Sequence, residues 1–253
     1  MAAGELWVVG LGPGEAGLMT GQAREALFRV EVVVGYQGYL GHIAHLLKPD
    51  QIVHSYPLTR EVDRAQHAVD LAEQGRRVAL VSSGDAGVYG MAGLVWQILS
   101  SRRWDPESGP MVEVVPGVSA MLAAAARLGA PLMHDFVAIS LSDRLTPPEL
   151  IAQRVRLAAL GDFVVVFYNP RSQSRVRPLA SACQILLEER AGTTPVALVR
   201  QAYRSEETLN LTTLDNLAAM PVDMLTTIIV GNSQTFVYAG KMITPRGYPL
   251  GSD

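Results

Sequence analysis

Leu6-Trp-Val-Val-Gly-Leu-Gly-Pro-Gly14 decides the fold. Leu6 to Val9 is an apolar run too short for a buried helix, and glycine closes it, so it reads as a buried strand. Gly10, Gly12 and Gly14 let the chain turn sharply and let a ligand approach the backbone. Thr20 then caps a helix whose apolar face is Ala23, Ala26, Leu27 and Val30. Val32 to Val34 makes a second strand, closed by Gly35. Strand, glycine loop, helix and strand in this order describe a parallel crossover unit.

The alternation continues in both directions from that unit. A helix is predicted from Glu61 to Gln74, with Val62, Ala65, Val69 and Ala72 on its apolar face and Gly75 as its stop. Val78 to Val81 is a strand ending in Ser82-Ser-Gly-Asp85. A helix around Met91 to Leu99 and a strand at Val112 to Val115 follow. Pro116-Gly117 interrupts the pattern and marks the expected boundary between two domains, 1–115 and 116–245, with 246–253 as a tail. Beyond it a helix runs from Ser119 to Leu128 and a strand from Phe136 to Ser140. Thr146-Pro-Pro-Glu149 has the form of a capping box that starts a helix. Strands are expected at Phe163–Phe167, Val196–Val199, Glu207–Leu211 and Leu225–Val230, with a helix around Leu179 to Glu189. Their close spacing predicts a mixed sheet, and the whole chain reads as α/β.

The first loop is not a dinucleotide fingerprint. That motif needs its third glycine where Glu15 stands, and Pro13 lacks one of the N–H groups that would cradle a pyrophosphate. Gly35 and Tyr36 stand where an acidic residue would hold a ribose. A nicotinamide oxidoreductase is therefore disfavoured. A second loop, Ser82-Ser-Gly-Asp-Ala-Gly-Val-Tyr-Gly90, and a third, Pro116-Gly-Val-Ser-Ala120, also follow strands. Alone, each would pass for a turn; three together argue for a ligand without phosphates.

Composition narrows the class further. The formal net charge of −3 offers no electrostatic case for nucleic acid or an anionic membrane. One cysteine, Cys183, excludes an internal disulfide and a multi-cysteine metal site, and it reads as core on an amphipathic helix. His42 and His45 are three apart but have no matched carboxylate or cysteine, so no metal is expected. No apolar run of about 18 residues is present, and the first residues lack a basic start and apolar stretch, which predicts a cytoplasmic protein.

The three loops, in this order, resemble the tetrapyrrole (corrin and porphyrin) methyltransferase family over nearly the whole chain. Ser82-Ser-Gly-Asp-Ala-Gly-Val-Tyr-Gly-Met-Ala-Gly93, His134-Asp-Phe-Val-Ala-Ile-Ser-Leu-Ser-Asp143 and Phe167-Tyr-Asn-Pro-Arg-Ser172 carry the likeness. The last two look like the branch that methylates C17 of precorrin-3B and contracts the ring to precorrin-4. The resemblance implies two α/β domains of the class III methyltransferase type, S-adenosyl-methionine in a cleft between them, a tetrapyrrole substrate and a homodimer. By resemblance Pro13, Ser83, Gly84, Asp85 and Val88 line the cofactor, and Ser119 and Ala120 contact it. Asn169, Ala202 and Thr226 approach its adenine, although many relatives carry methionine and glycine at Asn169 and Ala202.

A polycarboxylate substrate calls for arginines, and Arg171, Arg175 and Arg204 are the candidates. Ring contraction requires a hydroxyl to lose its proton, for which His134, Ser142, Asp143 and Tyr168 are the candidates. Each has a plainer reading: Asp143 as a helix cap, His134 as a backbone partner in its turn. Tyr89 either stacks near the cofactor or fills its turn. Two alternatives stay open: a neighbouring branch that methylates precorrin-4 at C11 or precorrin-2 at C20, and a non-catalytic nucleotide-binding module.

Overall fold

Residues 4–171 and 177–249 are described by a computed structural model, in which the chain divides into the units Met1–Ala120 and Met121–Asp253. In the first unit β1 (Glu5–Gly10) leads through α1 (Gly21–Arg29) to β2 (Val32–Tyr36), α2 (Gln37–Ile43) and β3 (Ile52–Tyr56). Then come α3 (Glu61–Glu73), β4 (Arg77–Ser82), α4 (Ala92–Ser101) and β5 (Met111–Val115). The strands form one sheet in the order β3-β2-β4-β1-β5, every pair parallel.

Strand alternation builds the layers. Leu6 and Val8 of β1, Val78 and Leu80 of β4, and Val32 and Val34 of β2 pack with Ala65, Val69, Val95 and Leu99 of α3 and α4. Trp7, Val9, Ala79, Val81 and Val33 point the other way, onto Ala23, Ala26, Leu27 and Leu40 of α1 and α2. A sheet covered on both faces explains strands that read as continuous apolar runs. Thr20 Oγ1 accepts the Ala23 N–H at 3.1 Å, as its position predicts.

In the second unit α5 (Ala120–Leu128, its first residue in the first unit), β6 (Gly129–Ala130), β7 (Phe136–Ser140) and α6 (Pro148–Leu160) precede β8 (Val164–Tyr168) and α7 (Arg177–Glu189). β9 (Pro195–Arg200), β10 (Thr208–Thr213), β11 (Thr226–Val230), β12 (Phe236–Tyr238) and β13 (Lys241–Ile243) follow. The main sheet has the order β10-β9-β11-β8-β7 and is mixed: β7 and β8 are parallel, the other pairs antiparallel. α6 and α7 cover one face around Phe167, Leu198 and Ile228; Ala124, Leu128 and Met242 cover the other. Arg190 is buried at the end of α7, where it donates to the carbonyls of Gly231 at 2.7 Å, Phe163 at 2.6 Å and Ala158 at 3.1 Å.

Three expectations need correction. α6 has no capping box. Its N-cap is Pro147, whose side chain makes no cap and which has no N–H for Glu149 to receive. The buried face of α3 is rotated from the predicted one: Val62 is 52% exposed, while Arg64 and Ala68 join Ala65, Val69 and Ala72 inside. β3 and the hairpin β12–β13 escaped the sequence pattern. Ile52 and Val53 of β3 are exposed on an edge strand, and the hairpin turns through Ala239 and Gly240, both at positive φ.

Candidate functional site

The crossovers locate a ligand edge in the first unit. β1 and β4 are neighbours, yet the helix after β1 packs on one face of the sheet and the helix after β4 on the other. Loops leaving neighbouring strands toward opposite faces open a crevice at the strands' carboxyl ends, the usual ligand position in such sheets.

Here the first two loops are stitched together through backbone, and the third packs against them. Gly12 N–H donates to Gly84 O at 3.0 Å, Gly84 N–H donates to Gly12 O at 2.8 Å, and Leu11 N–H donates to Ser82 O at 2.8 Å. Gly12 and Gly84 both hold positive φ, at 76° and 66°. A Cβ on Gly117 would lie 2.2 Å from Gly84 O and 2.8 Å from Gly10 O, so these chains approach more closely than any other residue permits.

Asp85 locks the arrangement. Its Oδ1 accepts the Gly87 N–H at 2.8 Å and its Oδ2 accepts the Gly117 N–H at 2.9 Å, tying the second loop to the third. Ser119 is different in kind: its hydroxyl is buried and has no hydrogen-bond partner. An orphaned buried hydroxyl at a ligand edge calls for a partner from outside the chain. Pro13 is buried, whereas Ser83, Val88 and Ala120 are half-buried. Tyr89 has positive φ and a half-exposed ring.

In the second unit β7, β8 and β9 run the same way, and their ends share one edge with the start of β11. Ser140 pairs with Tyr168 and Arg200 with Thr226 in the sheet register. Ser142, Asp143, Tyr168, Asn169, Arg171, Ala202, Arg204 and Thr226 therefore gather at that edge. Asn169 has positive φ and donates through Nδ2 to Ser140 Oγ at 3.0 Å. Tyr168 Oη accepts the Met121 N–H at 2.9 Å. Ala202 sits between Gln201 and Tyr203, both at positive φ. The turn is braced by Glu207, which accepts the Tyr203 N–H at 2.6 Å and is paired with Arg127 at 2.7 Å. Burial pulls the Glu207 carboxyl up, but the Arg127 guanidinium and the Tyr203 N–H together outweigh it and hold the carboxyl below its ordinary pKa. Thr226 Oγ1 donates to Asp223 Oδ1 at 2.9 Å, and Asp223 in turn accepts from Arg200 Nε at 2.8 Å.

Asp143 and Arg177 share a cavity of about 430 Å³, walled by Pro148, Ile151, Val155 and Ile185. His134 is not at this edge. It precedes β7, at the strand's opposite end, and its Nδ1 accepts the Asp135 N–H at 2.8 Å. Arg175 lies outside the described residues. No group of three or more metal-ligating side chains occurs among the described residues. His54 and His67 do meet, with ring centroids 4.5 Å apart, and Tyr56 bonds His67 at 2.7 Å. Their spacing in the sequence gave no hint of this, since β3 and α3 bring them together. Cys183 is buried, and burial pushes its thiol up to about 11. None of the described helices is long and apolar enough to cross a membrane.

Residues 5–218 match the family of Tetrapyrrole (Corrin/Porphyrin) Methylases. The chain is 51% identical over 97% of its length to the cobalt-factor III methyltransferase of Priestia megaterium, of which it spans 45%. It is 49% identical to the probable cobalt-factor III C(17)-methyltransferase of Salmonella typhimurium, covering 97% of this chain and 100% of that one. The precorrin-3B C(17)-methyltransferase of Sinorhizobium sp is 42% identical, with 97% of each covered. Among solved structures the methyltransferase CobJ superposes with a TM-score of 0.89 at 40% identity, over 96% of this chain and 100% of that one.

Proposed function

As a member of the tetrapyrrole (corrin/porphyrin) methylase family, the chain works, we propose, as a C-methyltransferase that takes its methyl group from S-adenosyl-methionine and places it on C17 of a corrin precursor. Relatives named as C(17)-methyltransferases match nearly the whole chain at 42% and 49% identity. The substrate reading is precorrin-3B, contracted to precorrin-4. A second reading, its cobalt-bearing counterpart, is favoured by the 49–51% identity to relatives named for cobalt-factor III, against 42% to one named for precorrin-3B.

The observation that carries the donor site is the orphaned Ser119 hydroxyl beside the glycine clamp, a cradle with a donor and acceptor to spare. When bound, S-adenosyl-methionine supplies an already activated methyl group, so the protein's task is mainly to orient the two reactants. Pro13, Ser83, Gly84, Asp85, Val88, Ser119 and Ala120 would hold the donor in the first unit; Asn169, Ala202 and Thr226 stay the adenine candidates that the resemblance implies. Arg171 and Arg204 would hold substrate carboxylates, and Arg175 stays a candidate from its sequence position. Ser142, Asp143 and Tyr168 are the candidates for moving the ring hydroxyl's proton. His134 leaves that set because it sits at the far end of β7. We further propose a homodimer working in the cytoplasm.

Ser119→Ala is expected to leave melting of the ligand-free protein unchanged, since no bond is lost, while weakening S-adenosyl-homocysteine by about threefold to tenfold. Calorimetric titration checks it, and an unchanged affinity would remove Ser119 from the site. The function itself is tested by anaerobic incubation with the donor and either precorrin-3B or its cobalt-bearing form. Gain of one methyl with a changed chromophore is the expected result. Donor binding without turnover of either pigment would support the non-catalytic alternative instead.

A further inference from the structure

The inner face of α3 consists of Ala65, Ala68, Val69, Ala72 and one arginine, Arg64. Arg64 is only 4% exposed, and its Nε and Nη1 are shut from solvent with no hydrogen-bond partner. Its Nη2 donates to Met91 Sδ at 3.1 Å, a thioether and so a weak acceptor. Asp63, one residue before it, is turned to Arg60. Glu61 is near enough to favour the charged guanidinium, yet no ion pair joins them; burial pulls the other way and dominates. A guanidinium stays charged even so. An uncompensated charge taken out of water is among the costliest arrangements a fold can keep.

Arg190 provides the contrast within the same chain. It is similarly buried, but three backbone carbonyls accept from it, so its role is to close the ends of neighbouring elements. Arg64 closes nothing. It stands in the first turn of α3, which follows β3 at the carboxyl edge of the parallel sheet, and Met91 terminates the loop that leaves β4. Both of its surroundings thus belong to the ligand edge. A planar fork of unmet donors there is matched by a carboxylate, which two of them can grip at once.

We propose that Arg64 binds a carboxylate of a ligand held at this edge, an inference that rests on the functional reading above. Two ligands of the reaction carry that group: the amino-acid end of the methyl donor and the acidic side chains of the tetrapyrrole. Arg64→Met keeps the length and removes the charge; Arg64→Lys keeps the charge and loses the fork. Three quantities are measured: melting of the ligand-free protein, S-adenosyl-homocysteine affinity by calorimetry, and anaerobic precorrin-3B affinity, without donor, by absorbance.

Ligand-free Arg64→Met is expected to melt at or above wild type, because an unpaired buried charge has gone. One of the two affinities should fall by about tenfold to a hundredfold, with Arg64→Lys recovering part of it. Loss confined to S-adenosyl-homocysteine assigns the carboxylate to the donor; loss confined to the pigment assigns it to the substrate. Both affinities unchanged would overturn the proposal. So would a Met variant melting well below wild type, since the guanidinium would then be holding the fold. If wild type binds neither ligand, the functional reading fails and the proposal fails with it; intact wild-type binding with indifferent variants sinks Arg64 alone.

Discussion

Gly117→Ala is expected to yield a protein that melts far below wild type and no longer binds S-adenosyl-homocysteine. The added Cβ would sit 2.2 Å from Gly84 O and 2.8 Å from Gly10 C and O. All three obstacles are backbone, so no side chain can swing aside. The loops must part, and the hydrogen bonds between Gly12 and Gly84 and from Gly117 to Asp85 go with them. Overpacking of this kind costs about 3 kcal/mol or more. Gly93→Ala is the matched control: it lies within α4 with nothing within 4 Å of the new atom, and should be neutral or stabilising by up to about 1 kcal/mol. Thermal unfolding and calorimetric titration read both effects. A Gly117→Ala protein with wild-type melting and affinity would show that the loops do not need their close approach.

Asp85→Asn should be the next most damaging change, and it should damage two things. Both carboxylate oxygens accept backbone N–H groups, of Gly87 and Gly117. An amide can replace only one acceptor, and its NH2 would face the other N–H as donor against donor. A cost of about 1–3 kcal/mol in stability follows. The third loop, which carries Ser119, then loses its tether, so affinity for S-adenosyl-homocysteine should fall at least about tenfold. The resemblance implies only that Asp85 lines the cofactor; its two backbone bonds make it a structural clamp as well. Unaltered melting with weakened binding would restore the simpler view, and unaltered binding would take Asp85 out of the site.

How far the sequence could be read depended on whether a residue's neighbours in space were also its neighbours in the chain. β1, β4 and β8 were legible because both of their faces are buried, so Leu6 to Val9, Val78 to Val81 and Val164 to Phe167 are unbroken apolar runs. β3 was not legible: as an edge strand it exposes Ile52 and Val53, and His54-Ser-Tyr56 carries no period. The glycine loops announced a ligand edge, but their mutual clamp did not, because Gly10, Gly84 and Gly117 are brought together only by the order β4-β1-β5. Arg64 was invisible, since Glu61-Val-Asp-Arg64 reads as the polar start of a helix with Val62 inward. In the fold Val62 faces out and Arg64 in, with Arg64 Nη2 on Met91 Sδ, a partner distant in sequence. The candidates at the second unit's edge were readable from motifs, and the strand from Phe136 to Ser140 already separates His134 from Asp143, whereas which end forms the shared edge needed the sheet pairing.

The position of the transferred methyl group tests the central claim most directly. Anaerobic turnover with a donor labelled at its methyl carbon, followed by carbon NMR of the isolated pigment, reports which ring carbon received it. The account predicts one enriched methyl signal, bonded to C17, in a contracted macrocycle. A label at C11 or C20, or on an uncontracted ring, would contradict it and move the chain to another branch of the family.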